Sequence, residues 1–290
     1  LAYLFAAFGV LTVFGTGNAT QVNTITTAIN SALLNYNVIS ESAVSTSNLI
    51  IGIIIAILIA MILLGGIKRI GHVTEKLVPF MALVYIAGSL IVILCNITRL
   101  PSAFAQILLG AFKPSAVLGG AAGVTVKEAI RYGVARGLFS NEAGMGSTPH
   151  AHARAVVKNP HCQGLAAMIS VFIDTFIVLN LTVFSILTTD SLSSGKDGIM
   201  LTQYAFSTVF GSFGDIFIAV CLLFFAFSTI LGWHFFGSIN VKHLFGKKGM
   251  IPYSVLVAVF IVVGSMLKVD LVWTLADFFN GLMVIPNALA

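Results

Sequence analysis

The sequence predicts an all-α polytopic membrane protein with about eight membrane segments, one of them discontinuous. Of its 290 residues, 58% are hydrophobic and only 9% charged, and the mean hydropathy is +1.03; soluble globular domains do not reach such values. Apolar stretches recur that are long enough to cross a ~30 Å hydrocarbon layer, which takes roughly 20 residues. Between them, Gly144, Gly146 and Pro149 interrupt an otherwise helical stretch.

Spans are predicted near 3–24, 48–67 and 77–97, then 163–188, 214–240, 251–268 and 271–290, with the broken one near 122–158. The uncharged apolar runs at 50–64 and 90–94 exclude the buried helices of a soluble protein. Lys68, Arg69 and Lys76 follow the second span, Arg154 and Lys158 the broken one, and Lys242, Lys247 and Lys248 the 214–240 span. The loops at 68–76, 154–161 and 240–249 are therefore expected to be cytoplasmic, with the first span running from inside to outside. Arg99, Lys113, Lys196 and Lys268 fall at the alternate connections. The net charge of +5 is this loop bias and not a nucleic-acid surface, because no basic run alternates with exposed aromatics. The opening residues carry no basic n-region and are not expected to be a signal peptide. Cys95, Cys162 and Cys221 form no C-x-x-C pair and are expected to be small core residues, neither disulfides nor metal ligands.

The broken span reads GLFSNEAGMGSTPHAHA at 137–153. Val124–Phe139 is predicted as one half-helix and Pro149–Lys158 as another, with a non-helical joint between them. Freed backbone groups at membrane depth survive only where protein covers them or a cavity receives them, which points to a binding site. A Gly/Pro kink packed by small neighbours remains the alternative. Glu142 is expected to be an ion-pair or gating residue, with Arg136 or Arg131 as partner, ahead of a direct ligand. Ser140, Asn141 and Ser147 are the uncharged candidates.

Two further polar constellations stand out. In GTGNATQVNT (15–24), Asn18 and Gln21 share a helix face, and either binds a guest or bonds between helices. In FAFSTILGWHFFG (225–237), Thr229 and Trp233 lie i, i+4 with Ser228 beside them. Two hydroxyls and an aromatic wall suit a small amphipathic ligand next to a hard cation, unless the hydroxyls bond back to their own helix. Asp174, mid-span, is a coupling carboxylate or a buried ion-pair member; Asp277 is read as an interfacial or packing residue. His150, His152 and His161 cluster after the break and read as a solvated face ahead of a metal site.

The motifs GLFSNEAGMGSTPHAHA, GGIKRIGHVTEKLVPFMALVYI (65–86), GTGNATQVN and FAFSTILGW together resemble the alanine or glycine:cation symporter family, and the likeness runs from residue 1 to MVIPN near the end. The resemblance implies a LeuT-type fold of two inverted five-helix repeats, sodium coupling, no organic cofactor, no enzymatic activity and a plasma-membrane location in the lipid bilayer. It implies that 1–290 is a single transporter domain lacking the first two core helices and the C-terminal end. Residues 1–36 would be the third helix and the broken span the sixth, with 99–116 and 199–210 as extracellular gate segments. By the same likeness Gln21, Ser140, Asn141, Gly144, Met145, Gly146, Thr229 and Trp233 would contact a small neutral amino acid, and Ser228 and Thr229 would hold sodium. His150 and His152 depart from the small or apolar residues the family pattern leads one to expect. The rival classes are an intramembrane hydrolase built on Glu142, His150, His152 and His161, and an ion channel; the first lacks H-E-x-x-H, and the second lacks repeated polar rings.

Overall fold

The computed structural model describes residues 1–63, 65–112, 126–142 and 144–290, giving the backbone alone at 67 and 126–129. The described chain is helical without strands. Its elements are α1 (Ala2–Asn35), α2 (Val44–Leu63), α3 (Gly66–Cys95), α4 (Leu100–Phe112), α5 (Val126–Asn141), α6 (Pro149–His152), α7 (Pro160–Thr188), α8 (Gly198–Phe210), α9 (Phe213–Phe245), α10 (Met250–Met266) and α11 (Val269–Ala288). Seven of the described helices are long and apolar enough to cross a membrane, so this is a multi-pass membrane protein. Positions 113–116 of the first gate segment, Lys113 included, and 124–125 of the first half-helix lie outside the described residues.

Several boundaries differ from the sequence reading. Residues 68–76 are no loop: α3 starts at Gly66, because Ile70 and Val73, three apart, pack onto the core cluster and give the segment an apolar helical face. Likewise 240–245 extends α9, with Val241 buried, until Gly246 at φ 66° ends the helix. Cys95 and Cys162 are exposed and only Cys221 is buried, since the first two sit in the end turns of their helices.

The described chain forms two compact units. In the first (Leu1–Val84, Gly144–Val157 and Asp215–Ala290), α1 is the central post. Lipid is as apolar as leucine, so membrane helices associate through close backbone approach and hydrogen bonds. Along the antiparallel seam with α9, Gly9 lies against Asn240, Val13 against Gly237, and Gly17 against the Cβ and Cγ of Trp233. Against α10, Gly264 sits where a Cβ would come 2.5 Å from Ala19 Cα. Against α11, Thr12 Oγ1 donates to Phe279 O at 3.1 Å and Thr16 Oγ1 to Asn280 Oδ1 at 2.9 Å. α2 packs antiparallel on α10, Gly52 against Ser265.

α1 widens to a π-helix over Val13–Ala19. Two glycines in this turn lower the steric cost of the wider ring, and side chains one turn on satisfy the displaced carbonyls: Thr20 Oγ1 donates to Gly15 O and Gln21 Nε2 to Thr16 O, both at 3.1 Å. π-turns of this kind are frequent at functional sites.

The second unit (Tyr85–Ala143 and Lys158–Gly214) joins the end of α3 to α7 and α8. Tyr85 hydrogen-bonds Thr182 at 2.6 Å and stacks on Phe206, while Phe104 of α4 meets Phe184 at 4.5 Å. α7 carries its own π-turn, Ile173–Leu179, where Asn180 Nδ2 donates to Thr175 O at 3.1 Å. This is the same device as at Gln21.

Gly17→Ala and Gly264→Ala are each expected to lower the melting temperature of the whole protein, because the new methyl meets a Cβ or a backbone atom that cannot swing aside. Overpacking of this kind costs about 1–3 kcal/mol and exceeds the helix-propensity gain of up to ~1 kcal/mol. Gly137→Ala, with nothing within 4 Å, is expected to leave the melting temperature unchanged or raise it.

Candidate functional site

The break in the span is real and takes the form its glycines require. α5 ends at Asn141, and the backbone then turns left-handed at Glu142 (φ 49°), Gly144 (φ 76°) and Gly146 (φ 82°). Glycine adopts that region without penalty, whereas Glu142 is held there at a cost of about 1 kcal/mol or more. The second half-helix, expected over Pro149–Lys158, is a single turn, Pro149–His152. Val156 and Val157 are weak helix formers, and Pro160 drives Asn159 to extended backbone (φ −154°), where its side chain caps the start of α7 through Cys162 N at 3.0 Å.

Within the first unit, protein covers part of the joint, while Gly144 is exposed. Met145 and Ser147 are each 1% exposed. Asn287 Nδ2, from α11, donates to Gly144 O at 2.8 Å, so one expected guest carbonyl already has a protein donor. Gly146 has no room for a side chain: a Cβ there would lie 2.6 Å from Asn287 Oδ1 and 2.7 Å from Phe5. His150 stacks on Phe5 at 5.8 Å, and its Nδ1 lies 3.0 Å from Ser147 O. A cavity of about 350 Å³ adjoins, lined among others by Phe5, His150, Asn240, His243 and Asn287.

Gln21 and Trp233 lie in the same unit but not at the joint: Trp233 packs on Gly17, 12 residues along α1 from the Phe5 that packs on Gly146, and Gln21 lies one turn further, so roughly 18–24 Å of helix separates the two constellations. The Gln21 amide nitrogen serves the π-turn, leaving its carbonyl end for any guest. Trp233, 4% exposed, lies over Gly17 and edge-on to Phe236 at 5.7 Å. Ser228 and Thr229 both donate to Phe225 O, at 2.8 and 2.9 Å. That is the back-bonded geometry, and it leaves the lone pairs of both hydroxyl oxygens for a cation.

In the second unit the end of α5 is tied to the π-turn of α7. Ser140 Oγ donates to Asp174 Oδ2 at 2.5 Å and Thr175 Oγ1 to Asn141 Oδ1 at 3.0 Å, while Asn141 Nδ2 bonds back to Gly137 O at 3.2 Å. Asp174 thus has a hydroxyl partner from the broken span. Arg136 lies one turn before Ser140 on the same helix, its guanidinium 6.0 Å from the Phe139 ring. Among the described residues no three His, Cys, Asp or Glu side chains converge as a metal site would need.

Two buried groups stand out: Asn18, read from sequence as guest-binding or bonded between helices, and His234, for which the sequence reading offers no role. Asn18 is fully buried in the α1 π-turn, and neither amide atom finds a partner; His234, beside Trp233, is 5% exposed with both ring nitrogens unpartnered. Such orphans cost about 1–3 kcal/mol each and mark strain, a ligand or bound water. The sequence signal was present in both cases, a polar side chain inside an apolar span. Only contacts reveal which such groups stay unsatisfied.

The family model described as the sodium:alanine symporter family matches residues 1–290. An uncharacterized transporter of Haemophilus influenzae is 42% identical over 100% of this chain and 62% of its own length. The probable sodium/glutamine symporter GlnT of Bacillus subtilis is 39% identical over 99% of this chain and 58% of its own. The sodium/alanine symporter AgcS of Methanococcus maripaludis is 38% identical over 99% and 61%. The chain therefore spans about three-fifths of the length of these curated relatives.

The joint itself gives a graded test. Gly144→Ala, open around its α-carbon, is expected to cost only the left-handed penalty of about 1–2 kcal/mol. Gly146→Ala adds the clash with Phe5 and Asn287 and is expected to lower the melting temperature of the whole protein further than Gly144→Ala does.

Proposed function

We propose, from the premise that this chain belongs to the sodium:alanine symporter family, that the whole protein couples sodium entry to the uptake of a small neutral amino acid. Families of this kind hold transporters and not enzymes, so the hydrolase reading of Glu142 with His150, His152 and His161 falls away. Nothing in the arrangement favours a channel. The protein sits in the plasma membrane, with the basic segments at 68–76, 154–161 and 240–249 on the cytoplasmic side. The stretch 1–290 acts as one transporter domain and as part of a LeuT-type inverted repeat.

The observation that carries this reading is the broken span: a joint with left-handed backbone, buried Met145 and Ser147, and packing from α1 and α11. A backbone break at membrane depth is what transporters use to present peptide groups to a substrate and its coupling ion. The Gln21 carbonyl, Thr229 and Trp233 would meet the amino acid; the joint at Gly144–Gly146 packs on Phe5, 16 residues or roughly 24 Å before Gln21 on α1, so its peptide groups would serve at a different point of the same path. Ser228 and Thr229 would offer hydroxyl oxygens to sodium, a hard cation that prefers them. Glu142, Arg136 and Asp174 act in gating, the Ser140–Asp174 and Asn141–Thr175 bonds clamping the end of α5. AgcS is named for alanine and GlnT for glutamine; Trp233, closed down on Gly17, favours the smaller side chain here.

Coupling follows from differential affinity. An ion that binds the amino-acid-receptive state more tightly than the alternative state shifts the population toward it, and the amino acid strengthens ion binding by the same factor. Reconstituted whole protein is expected to take up labelled alanine or glycine only with an inward sodium gradient; uptake indifferent to sodium and abolished by a proton uncoupler contradicts the assignment. Ser228→Ala is expected to raise the sodium concentration needed for half-maximal uptake, and Trp233→Ala to admit larger side chains such as glutamine.

A further inference from the structure

α2 and α10 pack antiparallel, closely at the Gly52–Ser265 end and less closely at the other. There a groove of about 430 Å³ opens between Ile59, Ala60 and Leu63 on one helix and Met250, Ser254 and Ala258 on the other. Its volume falls within the roughly 300–1,000 Å³ of ligand pockets. Apart from Ser254, the described residues lining it are apolar, and Ile251 and Val255 on its wall are 78% and 57% exposed. The groove opens on the surface of the first unit along membrane-spanning helices, where a hydrocarbon chain is the apolar occupant at hand.

The mouth of the groove is basic. Lys247 and Lys248 form the turn just before Met250. Across the groove, Leu63 is followed closely by Lys68 and Arg69, and the aliphatic stem of Arg69 lies back against Gly65. All four basic residues are exposed, and none has an acidic partner among the described residues. Antiparallel packing brings these two short stretches to one end of the helix pair. Four unpaired cations around the open end of an apolar groove match a phosphate ester attached to an acyl chain.

We propose that this groove is a binding site for an anionic phospholipid of the adjoining leaflet, with one acyl chain between α2 and α10 and the phosphate held by Arg69, Lys68, Lys247 and Lys248. Juxtamembrane cations contribute on the order of a few-fold each to anionic-lipid binding, and the guanidinium can take a phosphate through two parallel N–H donors.

Native mass spectrometry of the whole protein, equilibrated with equal amounts of phosphatidylglycerol and phosphatidylcholine of identical acyl chains, tests the site. The unmodified protein is expected to retain phosphatidylglycerol about tenfold or more over phosphatidylcholine, and to lose that preference at ~1 M salt, where charges are screened beyond about 3 Å. Replacing Arg69, Lys247 and Lys248 together by glutamine is expected to bring the two lipids to parity by lowering phosphatidylglycerol alone. Ser254→Trp, which fills the groove, is expected to reduce both. Equal retention by the unmodified protein overturns the proposal without recourse to any variant, as does a preference that survives the triple replacement or lipid retention that the tryptophan leaves unchanged.

Discussion

Inside a bilayer no water is available to a stray N–H or C=O, and this one constraint organises the structure. The two main departures from α-helix in the first unit each draw on local side-chain partners. The wide turn of α1 takes the Thr20 hydroxyl and the Gln21 amide; the joint after α5 takes Asn287 and His150. α7 repeats the arrangement with Asn180. Unsatisfied backbone groups facing lipid would cost several kcal/mol each, so the polar residues in these spans are fixed by geometry before any transport role is considered. Asn18 and His234 are the exceptions that prove informative: buried, without partners, and on the two helices that also carry Gln21 and Trp233.

Helix approach is set by a different shortage. With no hydrophobic force to drive helix on helix, contact depends on how closely backbones come, and the glycines of α1 settle it. Gly9 and Gly17, two turns apart, admit Asn240 and Trp233 of α9, while Gly15 faces Phe279 of α11. The same residues that let α1 widen into a π-turn therefore also hold it in the centre of its unit. A polar segment fixed this tightly is a poor hinge and a good platform. The joint is tied to α11 by the bond that Asn287 donates to Gly144 O.

Much of this was legible in the sequence. Hydropathy placed the spans, because twenty apolar residues have few other fates, and the family motifs were long enough to name. The break was legible because Gly144, Gly146 and Pro149 are poor helix residues in any context. The amphipathic start of α3 was missed: Lys68, Arg69 and Lys76 masked the Ile70–Val73 face that makes it helical. The second half-helix was overestimated because propensity there is decided by two valines and by Pro160 downstream. Hydrogen-bond destinations were beyond pattern reading. Ser228 and Thr229 have the spacing of cation ligands and also of back-bonded hydroxyls, and their distances to Phe225 O are invisible in a string of letters.

The claim on which the account turns is that the joint after α5 is a partly covered break that responds to guest binding and not a passive kink. Hydrogen exchange at residues 144–147 of the whole protein in lipid nanodiscs addresses it directly, with and without sodium and alanine. The account expects measurable exchange without ligands, as for non-helical backbone, and clear slowing when both ligands are present, by more than either gives alone. Exchange at those amides that is identical under all conditions would contradict it.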